Sequence, residues 1–598
     1  MTDLRFERRS RTRLGAAIAG AALVAGSAGL GASSVSATGE GEPQPGGTLI
    51  VAGDPDVLWM DPTAAYSAAD YQFQRMTLRN LFDYPNSGTL EERATPLPDL
   101  AIKVPTQENG GVSADGLTYT IELRDDVVWN VDEPRPVVAE DVVRGVKRMC
   151  NPVQGSAARA YYLDTIAGMS EFCEGFAEVA PEIEPIRDYI ESTDIAGVTA
   201  VDDHTVQFTL TQPASDFVYL LALFRFTAPQ PVEYLDYLAD SPDLRQNIIE
   251  NGPYQVVEYV PDQSYVLERN PNWDPETDDL REAYVDRIEI TLGQQNESVF
   301  QQIIAGTVDM QWGETTVPTQ EIPALLAAGD ERLVIEGAGG LVPYIVINTL
   351  SPNADGAFGD PLVRQALNFA VDREAVQQIF GGPNLSELAF HILPPEVPGS
   401  EDINPLNVPP GGDPERAREL LAEAGYPDGL PIKVLYDDEP GMENLAAVLE
   451  QVLGDSGFDV ELVFQPRNAF YGEFLLNHEF TESGGWDISP VTWYADYLAG
   501  RSYIPILLDG RGYESGTPNY GGYNNDELNG LIDEALAAST PEEATALWAE
   551  ADVLATEDAA WIPVGFSKTP TLHGDRVGGF VFHLAPRNGD FTNVWLEQ

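Results

Sequence analysis

The sequence predicts an α/β protein of more than one domain. Three observations lead there. At 598 residues the chain is too long for one core, and length alone argues about three or four domains. Between residues 115 and 148 a period-two pattern passes into a helical one. From about Leu333 to Thr556 helix and strand alternate, the order of an α/β lobe.

In chain order, Gly47–Gly53 (GTLIVAG) reads as a buried first strand. Asp61-Pro62 follows, and then a helix through Tyr71 to Leu81. In the stretch DGLTYTIELRDDVVWNVDEPRPVVAEDVVRGVKR, Tyr119, Ile121 and Leu123 alternate with polar residues, as in a strand with one buried face. Asp125 and Asp126 offer a turn, and Pro134 and Pro136 prevent an immediate helix. From Ala139, Val142, Val146 and Met149 form one helical stripe, with Glu140 and Asp141 in the first turn.

The wording of this stretch resembles the signature of the family-five extracytoplasmic solute-binding proteins, the dipeptide and oligopeptide receptors of ABC importers. That signature couples a DGxxYTFxLR-like strand to a TAxDVxxSxxR-like helix. Val138 stands at the usual Thr position, Gly145 at the usual Ser position, and Trp129 where a smaller residue is common. Further matches follow: Asn251–Trp273 resembles the family's GPYxVxxYxPGxxxxLxRNPxYW hairpin, Tyr344–Thr349 its YLxxNT strand, and Pro361–Arg373 its VRxALxxAIDR helix. The resemblance implies a type II, two-lobed periplasmic-binding-protein-like α/β fold, with mixed sheets flanked by helices, an extra domain and a hinge between lobes. It places domain I at 47–81, 214–332 and 557–598, domain II at 82–213 and domain III at 333–556; the residues before them read as a signal peptide at 1–37 and a flexible leader at 38–46.

Within domain III the local signals agree. Asp360-Pro361 and Asp413-Pro414 each pair a cap with a first-turn proline, and the second helix stops at Gly425. Strands at Ile432–Tyr436, Val460–Phe464 and Trp486–Ser489 and helices at Glu443–Leu453, Asn525–Ala538 and Glu542–Thr556 complete the alternation. Gly337-Ala338-Gly339 reads as a loop before the strand at Tyr344. Ala559–Phe582 resembles the strands that re-enter domain I.

Composition narrows the function. With 33 basic and 96 acidic residues the formal charge is −63, which disfavours nucleic acid and anionic lipid as partners. The acids are spread along the chain, as on a solvated surface; adaptation to high salt or high pH is the sharper alternative. Arg5, Arg8, Arg9, Arg11 and Arg13 precede an Ala/Gly/Leu run and a small-residue exit at Val35-Ser36-Ala37, the pattern of an export signal. No cysteine lies near that exit to carry a lipid anchor, so a secreted, periplasmic or envelope-associated monomer is expected. In an exported chain Cys150 and Cys173 are expected to form one disulfide; a reactive thiol or a metal site is the alternative, and no histidine lies nearby.

Catalytic motifs such as G-x-S-x-G and H-E-x-x-H do not occur, and the five histidines are scattered. No enzyme activity, cofactor or metal is therefore expected. In peptide-binding relatives a W-x-x-D-Y-x-D-P-like segment supplies an aspartate for the ligand's α-ammonium. Trp493-Tyr494-Ala495-Asp496-Tyr497 matches its first half, so Asp496 takes that role by resemblance. Leu498-Ala499-Gly500 departs from the usual acidic-proline pair. An acceptor-only carboxylate suits a desolvated ammonium, and Trp493, Tyr494 and Tyr497 suit apolar walls. Tyr66, Ser67 and Tyr71 are expected opposite them. The resemblance implies a short peptide as ligand and ABC permease subunits as partners. Oligosaccharide, opine or metal-chelate cargo, and a carboxylate-based secreted hydrolase, are the alternatives.

Overall fold

The computed structural model describes residues 42–597, apart from 87–88, 157 and 516. The expected signal peptide and residues 38–41 of the leader lie outside the described residues.

A five-stranded sheet runs in the order Met310–Gln311, Thr48–Ala52, Arg287–Thr291, Ser264–Arg269, Tyr254–Val260. Thr48–Ala52 is parallel to both neighbours, which buries Leu49 and Val51 completely. The expected hairpin forms its antiparallel edge, with a register shift between Val266 and Leu267. The first helix is Ala68–Thr77, shorter than the expected run to Leu81. Ser67 caps it, accepting from the Asp70 N–H at 3.1 Å while Asp70 accepts in return. It ends because the Thr77 carbonyl is taken by the N–H groups of Asn251 and Gly252, at 3.1 and 2.9 Å.

A three-stranded antiparallel sheet pairs Thr118–Glu122 with Thr205–Thr209 and that strand with Val198–Asp202. Tyr119 and Ile121 point into a core with Val142 and Val146 of helix Ala139–Arg148 and with Met149, which follows the helix as its C-cap. Two of the three departures from the signature, Trp129 and Gly145, have packing reasons. The Trp129 indole N–H donates to Asp141 at 2.8 Å, and both side chains are buried. Gly145 lies so close to Ala228 that a Cβ there would fall 2.1 Å from the Ala228 carbonyl oxygen. Cys150 and Cys173 form a disulfide beside this helix.

A seven-stranded sheet runs Ser386–Leu388, Gly565–Leu572, Leu333–Ile347, Ile488–Tyr494, Leu430–Tyr436, Phe458–Phe464, with Trp561–Pro563 also paired to Leu333–Ile347. Two expectations are corrected here. Trp561–Pro563 and Gly565–Leu572, expected to return to domain I, complete this sheet instead, because Leu333–Ile347 is long enough to pair with both. The glycine run at 337–340 is no loop but lies inside that strand, where the ladder shifts register. A Cβ on Gly340 would come 2.6 Å from the Tyr494 ring, and one on Gly339 (φ +71°) 2.6 Å from the Tyr503 hydroxyl. The expected helix Pro361–Arg373 is two, Pro361–Ala370 and Arg373–Ile379, the second capped by Asp372.

Candidate binding cavity

Strand Ile488–Tyr494 ends at a cavity of ≈ 350 Å³, and the turn that follows carries Asp496 into its wall. Several contacts hold that turn. The Asp496 N–H donates to Ser502 Oγ at 2.9 Å, and the Trp493 indole N–H to the Ser502 carbonyl at 2.9 Å. Tyr503 donates to the Gly339 carbonyl at 2.7 Å. Tyr497 is buried in the core otherwise built from residues 81–235, and its hydroxyl donates to Asp216 at 2.9 Å. Arg501 reaches the other oxygen of Asp216 at 2.8 Å. The turn thus spans two cores. Gly500, in the departing half of the motif, is needed because a Cβ would lie 2.3 Å from the Trp548 ring.

The Asp496 carboxylate meets two phenols. Tyr66 donates to one oxygen, and Tyr161 to the other at 2.5 Å. Burial pushes the Asp496 carboxyl above the usual range, while these hydrogen bonds and the Arg587 charge act against it. Burial, then the charge of Asp496, hold Tyr66 and Tyr161 well above ordinary phenols. Both therefore stay protonated and donate. The carboxylate retains lone pairs for a third donor from the cavity.

Of the expected site residues, Asp496, Trp493, Tyr494, Tyr497, Tyr66 and Ser67 line this cavity. Tyr66 also packs on Phe224 at 5.3 Å, and the Tyr494 ring lies under the Arg587 guanidinium at 4.2 Å. Ser67 combines cavity wall with helix cap. Tyr71 does not line the cavity. One turn into the helix, it is fully buried and donates to Asp83 at 2.8 Å, where Arg75, Arg225 and Arg281 converge. Those three charges hold the Asp83 carboxyl far below its usual range despite burial, so the phenol finds a fixed acceptor there. Its ring supports Phe224 edge-on at 5.7 Å.

Sequence reasoning passes over Tyr161, Tyr84, Arg93, Phe224, Glu314 and Arg587. None sits in a recognisable motif. Tyr161 belongs to a short helix after the first cysteine, Ala160–Leu163. Arg587 belongs to a turn near the C-terminus, between the paired strands Phe582–His583 and Asn588–Gly589. Glu314 accepts from the Ala68 N–H at 3.0 Å, at the start of the first helix.

The family model described as bacterial extracellular solute-binding proteins, family 5 (middle), matches residues 95–515. The chain belongs to this family. Among relatives of this family-five protein, the periplasmic oligopeptide-binding protein OppA of Escherichia coli is 26% identical over 78% of this chain and 79% of its own length. The dipeptide-binding protein of Escherichia coli is 26% identical, covering 92% of this chain and 95% of its own. Heme-binding protein A of Haemophilus influenzae is also 26% identical, over 79% and 80%. In structure, clavulanic acid biosynthesis oligopeptide binding protein 2 superposes with a TM-score of 0.81 at 26% identity, over 93% of this chain and 96% of that one. The fold is therefore that of the family-five binding proteins, and the chain is an extracellular solute-binding protein.

Proposed function

We propose that this solute-binding protein captures short peptides by their free amine, encloses them between its lobes and delivers them to the permease of an ABC importer. The observation that carries this reading is the Asp496 carboxylate, held by Tyr66 and Tyr161 in the wall of a cavity lined by aromatic rings. An ammonium entering that wall loses water and finds a charged acceptor, the strongest class of neutralising hydrogen bond. Trp493, Tyr494 and Phe224 offer flat surfaces that accept varied side chains. Kinship by itself does not select the cargo, since one relative is named for haem and others for peptides.

In this reading no bond is made or broken. The protein is exported, works as a monomer in the periplasm or cell envelope, and closes because a ligand binds the closed arrangement better than the open one. The lobes correspond to the expected domains, with the strands up to Leu572 assigned to domain III. Calorimetry with free-amine peptides tests the site. Asp496→Asn is expected to weaken binding by roughly 2–5 kcal/mol, as loss of a desolvated charged partner does. Unchanged affinity removes Asp496 from the site. Ligand-dependent thermal shift without turnover of peptide or sugar libraries separates a receptor from a hydrolase.

A further inference from the structure

Arg587 lines the same cavity, and its pairing sets it apart from the neighbouring arginine. Arg93 spends its guanidinium on protein, giving one Nη to the Phe582 carbonyl at 2.8 Å and the other to Glu336 at 2.7 Å. Arg587 makes no hydrogen bond or ion pair with any described residue, although the chain carries 96 acidic residues against 33 basic ones. Its guanidinium instead sits over the Tyr494 ring, 4.2 Å from the ring centre, and its N–H donors are unpaired among the described residues. The backbone at Arg587 is left-handed, φ +54°, a conformation that non-glycine residues seldom adopt and that often marks a ligand clamp.

Two more observations point to a ligand on this wall. The Tyr84 hydroxyl and the Arg93 Nε, both buried and both on cavity-lining residues, have no hydrogen-bond partner among the described residues. Asp496 and Arg587 feel each other's charge yet form no ion pair, so a negative and a positive group stand separately open to one small space.

We infer that Arg587 receives the carboxylate of a zwitterionic ligand whose ammonium meets Asp496, which makes the cargo a short peptide with both ends free. This rests on the reading of the cavity as a peptide site and narrows it. A cavity of ≈ 350 Å³ is near the small end of ligand pockets, roughly 300–1,000 Å³, and a fork-shaped guanidinium matches a terminal carboxylate. A peptide that continues past the cavity has no carboxylate at that point to offer.

The test screens free dipeptides and tripeptides by thermal shift and takes the best binder in three forms: free acid, C-terminal amide and N-acetylated. Each is titrated calorimetrically into the full chain and into Arg587→Asn and Arg587→Lys. Asparagine tolerates the left-handed backbone, so the turn is kept. Wild type is expected to bind the acid roughly thirtyfold or more tighter than the amide, and Arg587→Asn to reduce that ratio to within about threefold. Arg587→Lys is expected to keep part of it. Discrimination against the N-acetyl form is expected to survive in both variants. Equal binding of acid and amide by wild type overturns the inference without any variant, and so does an unchanged ratio in Arg587→Asn. If acid and amide differ through Arg587 but N-acetylation has no effect, the role of Asp496 falls and that of Arg587 stands. If no free-ended peptide binds, both fall.

Discussion

On the proposed reading, Asp496 attracts an amine only while it is ionised, so its surroundings would set the pH range of binding. Burial raises its carboxyl above the ordinary range, and the hydroxyls of Tyr161 and Tyr66 and the Arg587 charge bring it part of the way back. Affinity for a free amine is therefore present above this raised pKa and lost as pH falls through it. Tyr161→Phe removes one donor to the ionised form, so the loss is expected to move to higher pH. Calorimetry of one free-amine dipeptide across a pH series checks this; a midpoint identical to wild type counts against the tyrosine's role. The aspartate and its three aromatic neighbours were legible from the Trp493–Tyr497 motif. Tyr161, far away in sequence, was not, because a phenol acquires that role only when the chain brings it to within 2.5 Å.

At the scale of elements, helix Ala139–Arg148 shows how a local rule reverses under packing. Replacing an interior helical glycine with alanine ordinarily stabilises by about 0.5–1 kcal/mol. At Gly145 the new Cβ would meet the Ala228 carbonyl at 2.1 Å, a backbone atom that cannot swing aside. Gly145→Ala is therefore expected to destabilise, by roughly 1–3 kcal/mol as overpacking does, and denaturant melts provide the check. A variant as stable as wild type would mean the helix and the 228 segment separate readily. Periodicity and caps placed most elements within a few residues. They failed where distant partners decide: Asn251 and Gly252 end the first helix, and two separate strands draw the glycine run at 337–340 into a long strand.

For the whole molecule, charge is the dominant variable. At −63 the folded chain repels itself, and mobile ions screen that repulsion over about 10 Å at 0.1 M salt. Many arginines are committed to internal pairs, such as Arg75, Arg225 and Arg281 around Asp83, so they offer little relief at the surface. The melting temperature is expected to rise by a few degrees from low to high salt. A melting point independent of salt would show that the acids are spaced widely enough not to interact, and that adaptation to salt is not their role.

The sequence by itself determined the family, the α/β alternation and the identity of the carboxylate at position 496, because these live in short patterns of hydrophobicity, caps and motif residues. Tertiary structure alone decided how the groups around that carboxylate are arranged: Tyr161 joining the expected Tyr66 as a donor, Arg587 as a cation unpaired among the described residues, and Tyr71 turned away to Asp83. The physical reason is separation along the chain. Hydrogen bonds and charge interactions act over a few ångströms, and nothing in a local pattern states which remote residue will fill that distance.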